Sequence, residues 1–544
     1  MANLSQLKRQ RMFEFLQKIR DEHKDDDSVL MALGEIESEL NAKKYGLVWE
    51  QHEEAVDVKV RTHVPVFTEV KDREISANPG ENYNFLLEGD NLHSLYLLEK
   101  THKGKIDIIY IDPPYNTGKK DDFIYNDEYI DQNDLFRHSK WLSFISTRLK
   151  IAQKLLANDG VIFISIDDNE YASLKMLCDE ILGINNYIAT LIWQKKKGGG
   201  NDSKYVATEH EYVLVYAKSV SNIANFFIEY DGEYSARYKE EDEKGRFFWD
   251  TFKRKSGKQY YPITCPDGTV LEFEDNGDPI SWLRSEDRFK TDLAQGEARI
   301  IKIKNKWTVH FKQRQPEGYK PRSLVLDYGT TASGSAELKD IFNTSTSFNN
   351  PKPVTLIQFF LKFIKKQNST ILDFFAGSGT TAQAVLELNK IDSGNRKFIL
   401  CTSNENKICE NVTYQRIKTV ITGKRKDGSQ YSNGVPANLK YYRTDFVSKD
   451  EEDLPEALLK HIAEMIQLEH GVKLDGKQYI MVLDDDEADK LALHWEEYSD
   501  VKALYVSKNV LFTTEQNTVF KDVEIHIIPD YYFNFELREV GESW

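Results

Sequence analysis

Two turns that lie far apart in the chain, each after a short apolar strand, constrain most strongly what this 544-residue sequence can fold into. The segment 106–111 is almost wholly apolar and runs into the sequence Asp-Pro-Pro-Tyr. The segment 370–374 runs into a glycine-rich loop and then into a predicted helix. Apolar strands of this kind are typically buried on both faces of a parallel sheet. The sequence therefore predicts an α/β fold with both turns at strand ends.

The order of the predicted elements indicates several domains. Strands and helices alternate over 83–193 and again over 323–445, which predicts an α/β core in two halves. Between them, 194–322 carries many Gly, Lys, Arg and Trp residues, several turn signals and short strand-like runs, and is predicted to be an inserted domain. Residues 1–82 are predicted to form a helical region, and 446–544 an acidic C-terminal α/β domain.

Charge, hydropathy and cysteine spacing exclude several classes of protein. The formal net charge of −16 argues at face value against a polyanion as partner, but 446–544 holds 9 Lys plus Arg against 23 Asp plus Glu, so the rest is nearly neutral. No apolar run is long enough to span a membrane, and the N-terminus lacks the apolar centre of a signal peptide. The four cysteines show no metal-ligand spacing, and the acidic run at 167–170 is typical of a helix cap. The sequence thus predicts a soluble, cytoplasmic protein without a metal site.

The glycine-rich loop is a candidate ligand site. Glycine lets a backbone turn tightly and approach a ligand, and the N-terminus of the following helix offers N–H groups to an anion. The loop lacks the lysine of a P-loop, and Ala382 replaces the third glycine of a dinucleotide site, so a well-packed turn is the alternative. The candidate residues are Asp373, Phe375, Ala376, Gly377, Ser378, Gly379, Thr380 and Thr381. Glu405 follows the next strand, where it is placed either to bind ribose hydroxyls or to cap a helix.

The Asp-Pro-Pro-Tyr turn points to chemistry on an amine. Pro113 and Pro114 remove backbone donors and make the turn rigid. An exocyclic amine such as adenine N6 is a poor nucleophile, because its lone pair is delocalised into the ring. The Asp112 carboxylate and the Pro113 carbonyl are suited to hold its two hydrogens, while Tyr115 stacks on an extruded base. These four residues are the catalytic candidates, and an ordinary proline-rich turn capped by Asp112 is the alternative.

With this turn and the Phe-Ala-Gly-Ser-Gly loop, the chain resembles the amino-group DNA methyltransferases that use S-adenosylmethionine. The order of the two motifs, with the insert between them, is similar to the β-class. The resemblance implies a Rossmann-like methyltransferase sheet in permuted order. It implies that Asp90, in the sequence Gly-Asp-Asn, contacts the adenosine of the cofactor, for which a helix N-cap is the alternative. It also implies that 352–357 covers the methionine end.

Further details resemble the modification subunits of type III restriction–modification systems. They are the sequence DPPYNTG and the segments 209–216, 404–406 and 438–442. This resemblance implies site-specific methylation of adenine N6 in double-stranded DNA, a homodimer and a helicase–nuclease partner subunit. The polar strand end at 401–403 departs from many relatives, and this puts the exact ribose contact in question.

Two basic segments are candidate DNA contacts. Lys195, Lys196 and Lys197 precede three glycines, and lysines on such a loop can neutralise phosphates. Lys253, Arg254 and Lys255 lie near aromatic residues, a mixture suited to phosphates and bases. By resemblance, 194–322 is the target-recognition domain. A solvated surface gives the same patterns, so no single base-reading residue is predicted.

Two other functions stay open at this point. A cytosine-N4 methyltransferase uses the same chemistry, although its family more often has Ser at the first position of the turn, so Asp112 favours adenine. A subunit that recognises DNA but is catalytically idle is the other alternative. An intact turn and an intact loop in one chain argue against it.

Overall fold

A computed structural model describes residues 4–24, 26–41, 49–78, 82–118, 124–125, 128–130, 133–198, 203–230, 232–344, 348–529 and 532–541. Two compact units are present. The main unit comprises residues up to 224 together with 322–361 and 365 onwards, and the second unit comprises 225–321 and 362–364.

The strands and helices of the described residues, in chain order, have the following bounds. The strands are β1 (His63–Glu69), β2 (Ile75–Ser76), β3 (Tyr83–Glu88), β4 (Ile106–Ile111), β5 (Ile124–Tyr125), β6 (Glu128–Tyr129), β7 (Leu156–Ile166), β8 (Tyr187–Gln194), β9 (His210–Ala217), β10 (Glu240–Asp242), β11 (Gly245–Thr251), β12 (Lys253–Arg254), β13 (Ile263–Thr264), β14 (Val270–Leu271), β15 (Ser281–Trp282), β16 (Ala298–Ile303), β17 (Lys306–Arg314), β18 (Leu324–Val325), β19 (Thr370–Asp373), β20 (Lys397–Thr402), β21 (Asn438–Ser448), β22 (Tyr479–Val482), β23 (Ala503–Val506) and β24 (Glu524–Ile527). The helices are α1 (Leu4–Glu22), α2 (Asp27–Asn41), α3 (Ala55–Thr62), α4 (Asn91–His102), α5 (Arg137–Leu155), α6 (Tyr171–Cys178), α7 (Gly232–Ser235), α8 (Glu286–Ala294), α9 (Thr331–Phe342), α10 (Val354–Leu361), α11 (Thr380–Asp392), α12 (Tyr414–Thr422), α13 (Leu454–Leu459), α14 (Ile462–His470), α15 (Asp485–Leu493), α16 (Thr514–Val519) and α17 (Asn534–Glu539).

In the described part of the main unit, eleven strands form one sheet. Their spatial order is β1-β21-β3-β20-β19-β4-β7-β9-β8-β18, with β2 beside β21. The six strands from β21 to β7 are parallel to one another. The side chains of β4 and of residues 160–166 in β7 are almost wholly buried, as their continuous apolar runs predict. The predicted Rossmann-like α/β fold is confirmed.

The sheet joins the two halves of the sequence at its centre. β4 and β19 are neighbours, with Ile109 opposite Leu372, although about 260 residues separate them in the chain. From β4 the chain continues outwards to β7, and from β19 it continues in the opposite direction to β20. Such a reversal leaves a crevice at the carboxyl ends of the two strands, where α/β proteins bind ligands. Both predicted turns lie at this crevice.

The predicted domain boundaries differ from the observed units at three places. Residues 63–69 are not part of a helical region but form β1, which pairs antiparallel with β21. The boundary predicted at 194 falls inside the main unit, because β9 pairs with both β7 and β8. The boundary predicted at 446 cuts β21, whose last residues pair with β1.

The acidic C-terminal segment has its own small sheet and also helps to build the main core. β22, β23 and β24 form a parallel sheet, which agrees with the predicted α/β character. Buried residues of the helices before and after this sheet join the cluster that surrounds the main sheet. They are Leu454, Leu458, Met465, Ile466, Leu468, Phe533 and Leu537. The segment is thus packed into the main unit.

The second unit is built mainly from β-structure. β10, β11, β17 and β16 form an antiparallel sheet, and two short strand pairs accompany it. Its core contains Phe252, Trp282, Phe289 and Phe311 among other apolar side chains. Ile228 and Tyr319 exchange backbone hydrogen bonds of 2.9 and 3.0 Å, so the chain enters and leaves this unit side by side.

In the described part of the chain, every helix is too short or too polar to cross a membrane.

Candidate active site

Four predicted site segments follow four adjacent parallel strands. In spatial order, β3 leads to Asp90, β20 to Glu405, β19 to the glycine-rich loop, and β4 to the Asp-Pro-Pro-Tyr turn. The carboxyl ends of parallel strands lie at one edge of a sheet. The fold therefore brings the catalytic and cofactor candidates, which span more than 300 residues of sequence, to the same edge.

The turn after β4 is held from behind by side chains of the next helix and loop. The Trp141 indole N–H donates to the Pro114 carbonyl at 2.7 Å. Asn116 has a left-handed backbone, with φ of 56°, and is fully buried. Its amide donates to the Arg137 carbonyl at 3.2 Å and to the Glu170 carboxylate at 2.5 Å. These contacts fix the turn on both sides of Tyr115.

The Asp112 carboxylate lies against an ammonium group that the sequence did not indicate. The Lys352 Nζ donates to both Asp112 oxygens, at 2.8 and 2.7 Å, and to the Tyr115 hydroxyl at 3.0 Å. Lys352 is only 7% exposed, whereas the Asp112 side chain keeps 28% of its surface. The open side of the carboxylate is the side from which a substrate can approach.

A second buried carboxylate completes this cluster. Glu211, on β9, is 5% exposed, and its Oε2 accepts from the Tyr115 hydroxyl at 3.0 Å and lies 3.4 Å from Lys352 Nζ. Its Oε1 accepts from Lys195 Nζ at 3.1 Å. We call Asp112, Tyr115, Lys195, Glu211 and Lys352 the charge cluster. With two carboxylates and two ammonium groups it is neutral overall, which is the condition for burying such charges.

The protonation states in the charge cluster follow from its geometry. Burial lowers the pKa of Lys352, but Asp112 and Glu211 outweigh burial and place it above its ordinary value. Burial raises the pKa of Glu211, but Lys352 and Lys195 outweigh it and hold the pKa below its usual range. Burial and the two carboxylates raise the pKa of Tyr115 well above its ordinary value. At neutral pH Lys352 is charged, Glu211 is ionised and Tyr115 is a neutral hydrogen-bond donor.

The glycine-rich loop is braced by contacts to the helix after β20. Gly377 and Gly379 have φ of 47° and 77°, a region that side chains rarely adopt. A methyl group on Gly377 would lie 2.8 Å from the Phe348 ring, and one on Gly379 would lie 3.2 Å from Thr413. The Thr413 hydroxyl donates to the Gly377 carbonyl at 2.6 Å. Glycine is required here for backbone shape and for space.

The start of α11 is tied to both neighbouring segments. The buried Arg416 guanidinium donates to the Ser378 and Thr380 hydroxyls at 3.1 and 2.8 Å. The Thr380 hydroxyl also donates to the Lys352 carbonyl at 3.1 Å. The backbone of Lys352 thus contacts the residue that begins α11, while its side chain contacts the Asp-Pro-Pro-Tyr turn. One residue couples the two halves of the site.

Asp373, at the end of β19, is fully enclosed. Its carboxylate accepts from the Thr381 hydroxyl at 2.5 Å and from the Phe375 N–H at 3.0 Å. Burial nevertheless raises the pKa of Asp373 to about 7. Its observed contacts stabilise the loop itself, so they describe a residue that shapes the site.

Asp90 and Glu405 occupy adjacent positions at the sheet edge. Asp90 is the N-cap of α4, because its carboxylate accepts from the Leu92 N–H at 2.7 Å, and it lies 3.4 Å from Arg148. Capping is the alternative that the sequence left open for this residue. Glu405 begins a short 3₁₀ turn directly after β20. The Gly89 N–H donates to the Thr402 carbonyl at 3.0 Å, which holds the two segments side by side.

The predicted DNA contacts fall in both units. Lys195 belongs to the charge cluster: its ammonium donates to Glu211, and 26% of its side chain stays exposed. Lys197 lies 3.5 Å from Asp327, and Lys196 is exposed. In the second unit, Lys253 pairs with Glu274, Arg254 lies 3.5 Å from Asp250, and Lys255 is exposed. Lys196 and Lys255 have no ion-pair partner among the described residues.

The acidic run at 167–170 has structural partners. The Asn169 N–H donates to Asp167 at 2.9 Å, and the Tyr212 hydroxyl donates to Asp168 at 2.9 Å. Glu170 holds Asn116. Among the residues that the structure describes, no group of three or more acidic, His or Cys side chains is arranged to hold a metal ion.

The sequence did not predict a role for the side chains of Lys352 and Glu211. Both lie in segments singled out for their resemblance to known motifs, at 352–357 and 209–216. Their side chains meet Asp112 only through the pairing of β4 with β7, of β7 with β9, and of β4 with β19. A charged residue inside a strand-like run that is otherwise apolar, as Glu211 is, was the available signal.

Comparison with known proteins identifies relatives for most of the chain. A family model described as DNA methylase matches residues 106–413, which is more than half of the chain. The EcoPI Mod subunit, a type III restriction–modification enzyme of Escherichia phage P1, is 32% identical over 77% of this chain and 74% of its own length. The StyLTI Mod subunit of Salmonella typhimurium is 36% identical over 62% of this chain, which spans 56% of that protein.

Among solved structures, the cytosine-N4-specific PvuII DNA methyltransferase matches part of this chain. It is 12% identical, with a TM-score of 0.32, and the match covers 63% of this chain and 94% of that chain.

Proposed function

Since the chain belongs to the DNA methylase family, with the type III Mod subunits among its relatives, we propose that it transfers a methyl group from S-adenosylmethionine to adenine N6 at a specific site in DNA. The observation that carries this proposal is the adjacency of β4 and β19. It puts an amine-binding turn and a glycine-rich cofactor loop at one crevice. The catalytic residues are Asp112, Pro113, Pro114 and Tyr115.

The turn prepares the amine for reaction. The Asp112 carboxylate accepts one N6 hydrogen and the Pro113 carbonyl accepts the other, so the lone pair is directed out of the plane of the base. Trp141 and Asn116 keep the turn rigid, which places the acceptors before the base arrives. Tyr115 stacks on the extruded base, and its hydroxyl is anchored to Asp112 at 2.8 Å.

The residues around the loop fit the cofactor. Gly377 and Gly379 lack a Cβ atom, which leaves space beside the backbone of the loop that a side chain would fill. Asp90 and Glu405, at the ends of β3 and β20, are carboxylates suited to adenosine and ribose hydroxyls. Asp373, Phe375, Ala376, Ser378, Thr380 and Thr381 complete the predicted set. When bound, S-adenosylmethionine supplies an electrophilic methyl group on a sulfonium.

The base and the partners are the finer parts of the proposal. Asp112 at the first position of the turn favours adenine over cytosine, and digestion of methylated DNA to nucleosides tests this choice. The relatives are named as Mod subunits of type III restriction–modification enzymes, which supports double-stranded DNA and a helicase–nuclease restriction subunit as partners. We expect a homodimer, tested by size-exclusion chromatography with light scattering.

The four cysteines are unpaired and buried, which suits the reducing cytoplasm.

The proposal is tested by removing the carboxylate of the turn. Asp112→Ala should lose about a hundredfold or more of the methyl-transfer rate, because the amine loses its main acceptor. Calorimetric titration should show S-adenosylmethionine binding unchanged, since the cofactor loop is intact. The measurement is transfer of labelled methyl groups to unmethylated DNA.

A matched control lies after the neighbouring strand. Asp168 is an exposed carboxylate that follows β7 and is bonded to Tyr212, outside the turn and the loop. Asp168→Asn should transfer methyl groups at the wild-type rate. Full activity of Asp112→Ala would overturn the proposed function.

A further inference from the structure

The Lys352 ammonium uses the same Asp112 carboxylate as the amine of the target base. It donates to both oxygens of Asp112 at 2.7 to 2.8 Å. An exocyclic amine offers the same kind of donor to the Asp112 carboxylate at a similar distance. Moreover, an adjacent cation neutralises the carboxylate and weakens its pull on an N–H group. The lysine and the base therefore compete for Asp112.

The ammonium cannot simply lose its charge or leave the protein interior. Its position between Asp112 and Glu211 favours the charged form, as its raised pKa shows. Its side chain is 7% exposed, and an unpaired buried charge is very costly. Displacement from Asp112 thus requires a second anion within a short movement.

Glu211 is that anion. Its Oε2 already lies 3.4 Å from Lys352 Nζ, so a shift of well under an ångström makes a hydrogen bond. Its Oε1 is held by Lys195 at 3.1 Å, which keeps the carboxylate ionised and in place. The Tyr115 hydroxyl bridges Asp112 and Glu211 at 2.8 and 3.0 Å. The ammonium can therefore move between two carboxylates without losing its partners.

We infer that Lys352 closes the amine-binding position of Asp112 while no base is bound, and that Glu211 is the positioning residue that receives the ammonium when the target amine enters. The inference rests on the proposed function. It makes Glu211, which need not touch the substrate, a determinant of how readily Asp112 accepts an amine.

The test is a double-mutant cycle on single-turnover methyl transfer. Glu211→Gln removes the receiving charge, so the lysine stays on Asp112 and the transfer rate falls about tenfold or more. Lys352→Met in the same chain removes the competitor, so the double variant transfers methyl groups faster than Glu211→Gln alone. The affinity for S-adenosylmethionine, measured by calorimetry, stays within about twofold in every variant.

A structural role for Glu211 predicts a different outcome. Loss of packing alone would make the double variant as slow as Glu211→Gln or slower, and that result would overturn the inference. Glu209→Gln, two residues earlier, is the matched control and keeps the wild-type rate. Where Glu211→Gln does not fold, Glu211→Asp carries the test, because it keeps the charge but withdraws it from Lys352.

The two proposals fail in different ways. A wild-type protein that transfers no methyl group to DNA overturns the proposed function. A wild-type protein that transfers methyl groups, with Glu211→Gln transferring them equally fast, overturns only the role of Glu211 and Lys352.

Discussion

At the scale of one residue, Asp373 holds the shape of the glycine-rich loop at a cost to the stability of the fold. Its carboxyl group is fully buried, and burial places its folded-state pKa at about 7. An unfolded aspartate has a pKa of about 4. The folded chain therefore binds this proton more tightly, so its contribution to stability is fully present below about pH 4 and is lost as the pH rises through 7.

Replacing Asp373 with Asn should therefore stabilise the protein in a pH-dependent way. Asn resembles the protonated acid, so Asp373→Asn should raise the free energy of unfolding by more than about 1 kcal/mol at pH 8 and much less at pH 5. Thermal melting at both pH values measures the difference. An equal effect at both values would show that Asp373 is ionised in the fold throughout.

Asp392 supplies a control of the opposite sign. Burial opposes its ionisation, but the hydrogen bond and charge of Arg396 outweigh burial and lower the pKa of Asp392. Its contribution is present above the unfolded pKa and is lost as the pH falls. Asp392→Asn should consequently destabilise the protein at pH 8.

At this scale the sequence predicted the role of Asp112 but not its ion pair with Lys352. The turn at 112–115 could be recognised because its chemistry lies in consecutive residues. Lys352 could not be assigned, because its contact with Asp112 spans 240 residues and depends on strand pairing. The ion pair of Lys195 could not be predicted for the same reason: its sequence neighbours describe a basic loop, whereas its spatial neighbour is Glu211.

At the scale of elements, the glycine-rich loop between β19 and α11 combines backbone strain with lack of space. Gly377→Ala should destabilise the protein and weaken cofactor binding severalfold or more, because the methyl group meets Phe348 at 2.8 Å at a φ of 47°. Thermal melting and calorimetric titration with S-adenosylmethionine measure the two effects.

A substitution at Gly428 distinguishes the effect of backbone strain from the effect of the steric clash with Phe348. Gly428 also has a positive φ, of 85°, but a methyl group there meets nothing within 4 Å. Gly428→Ala should cost about 1 kcal/mol of stability and leave cofactor affinity unchanged. Equal loss of cofactor binding in both variants would contradict the specific role of the loop.

Elements with continuous apolar patterns were predictable, and an edge strand was not. β4 has the same bounds in the structure as in the sequence pattern, because five of its six residues are apolar or β-forming and turn signals flank it. β1 escaped prediction because it contains Pro65 and ends in polar residues, as edge strands often do. Its strand conformation comes from pairing with β21.

At the scale of the whole molecule, the second unit is joined to the main unit through closely spaced chain ends. Because Ile228 and Tyr319 are hydrogen-bonded to each other, replacing 230–317 with a short Gly-Ser linker should close the chain without strain. The shortened protein should fold and bind S-adenosylmethionine, but should lose site-specific methylation of DNA. Circular dichroism, calorimetry and methyl-transfer assays measure these properties.

A shortened chain that still methylates the same DNA site would place target recognition outside the second unit. A chain that aggregates would show that the main unit depends on the second unit for its stability.

Because β4 and β19 are neighbours in the sheet, β4 cannot complete its strand pairing until β19 has been synthesised. β4 leaves the ribosome about 260 residues before β19, and β3 waits still longer for β20 and β21. At 5–20 residues per second, β4 remains without β19 for roughly 13 to 50 s, although its other neighbour β7 follows within about 50 residues. During that interval the unpaired edge of β4 is exposed, so the nascent chain is a natural client for chaperones. A translation product truncated before β19 lacks the glycine-rich loop, so we expect it to transfer no methyl groups to DNA.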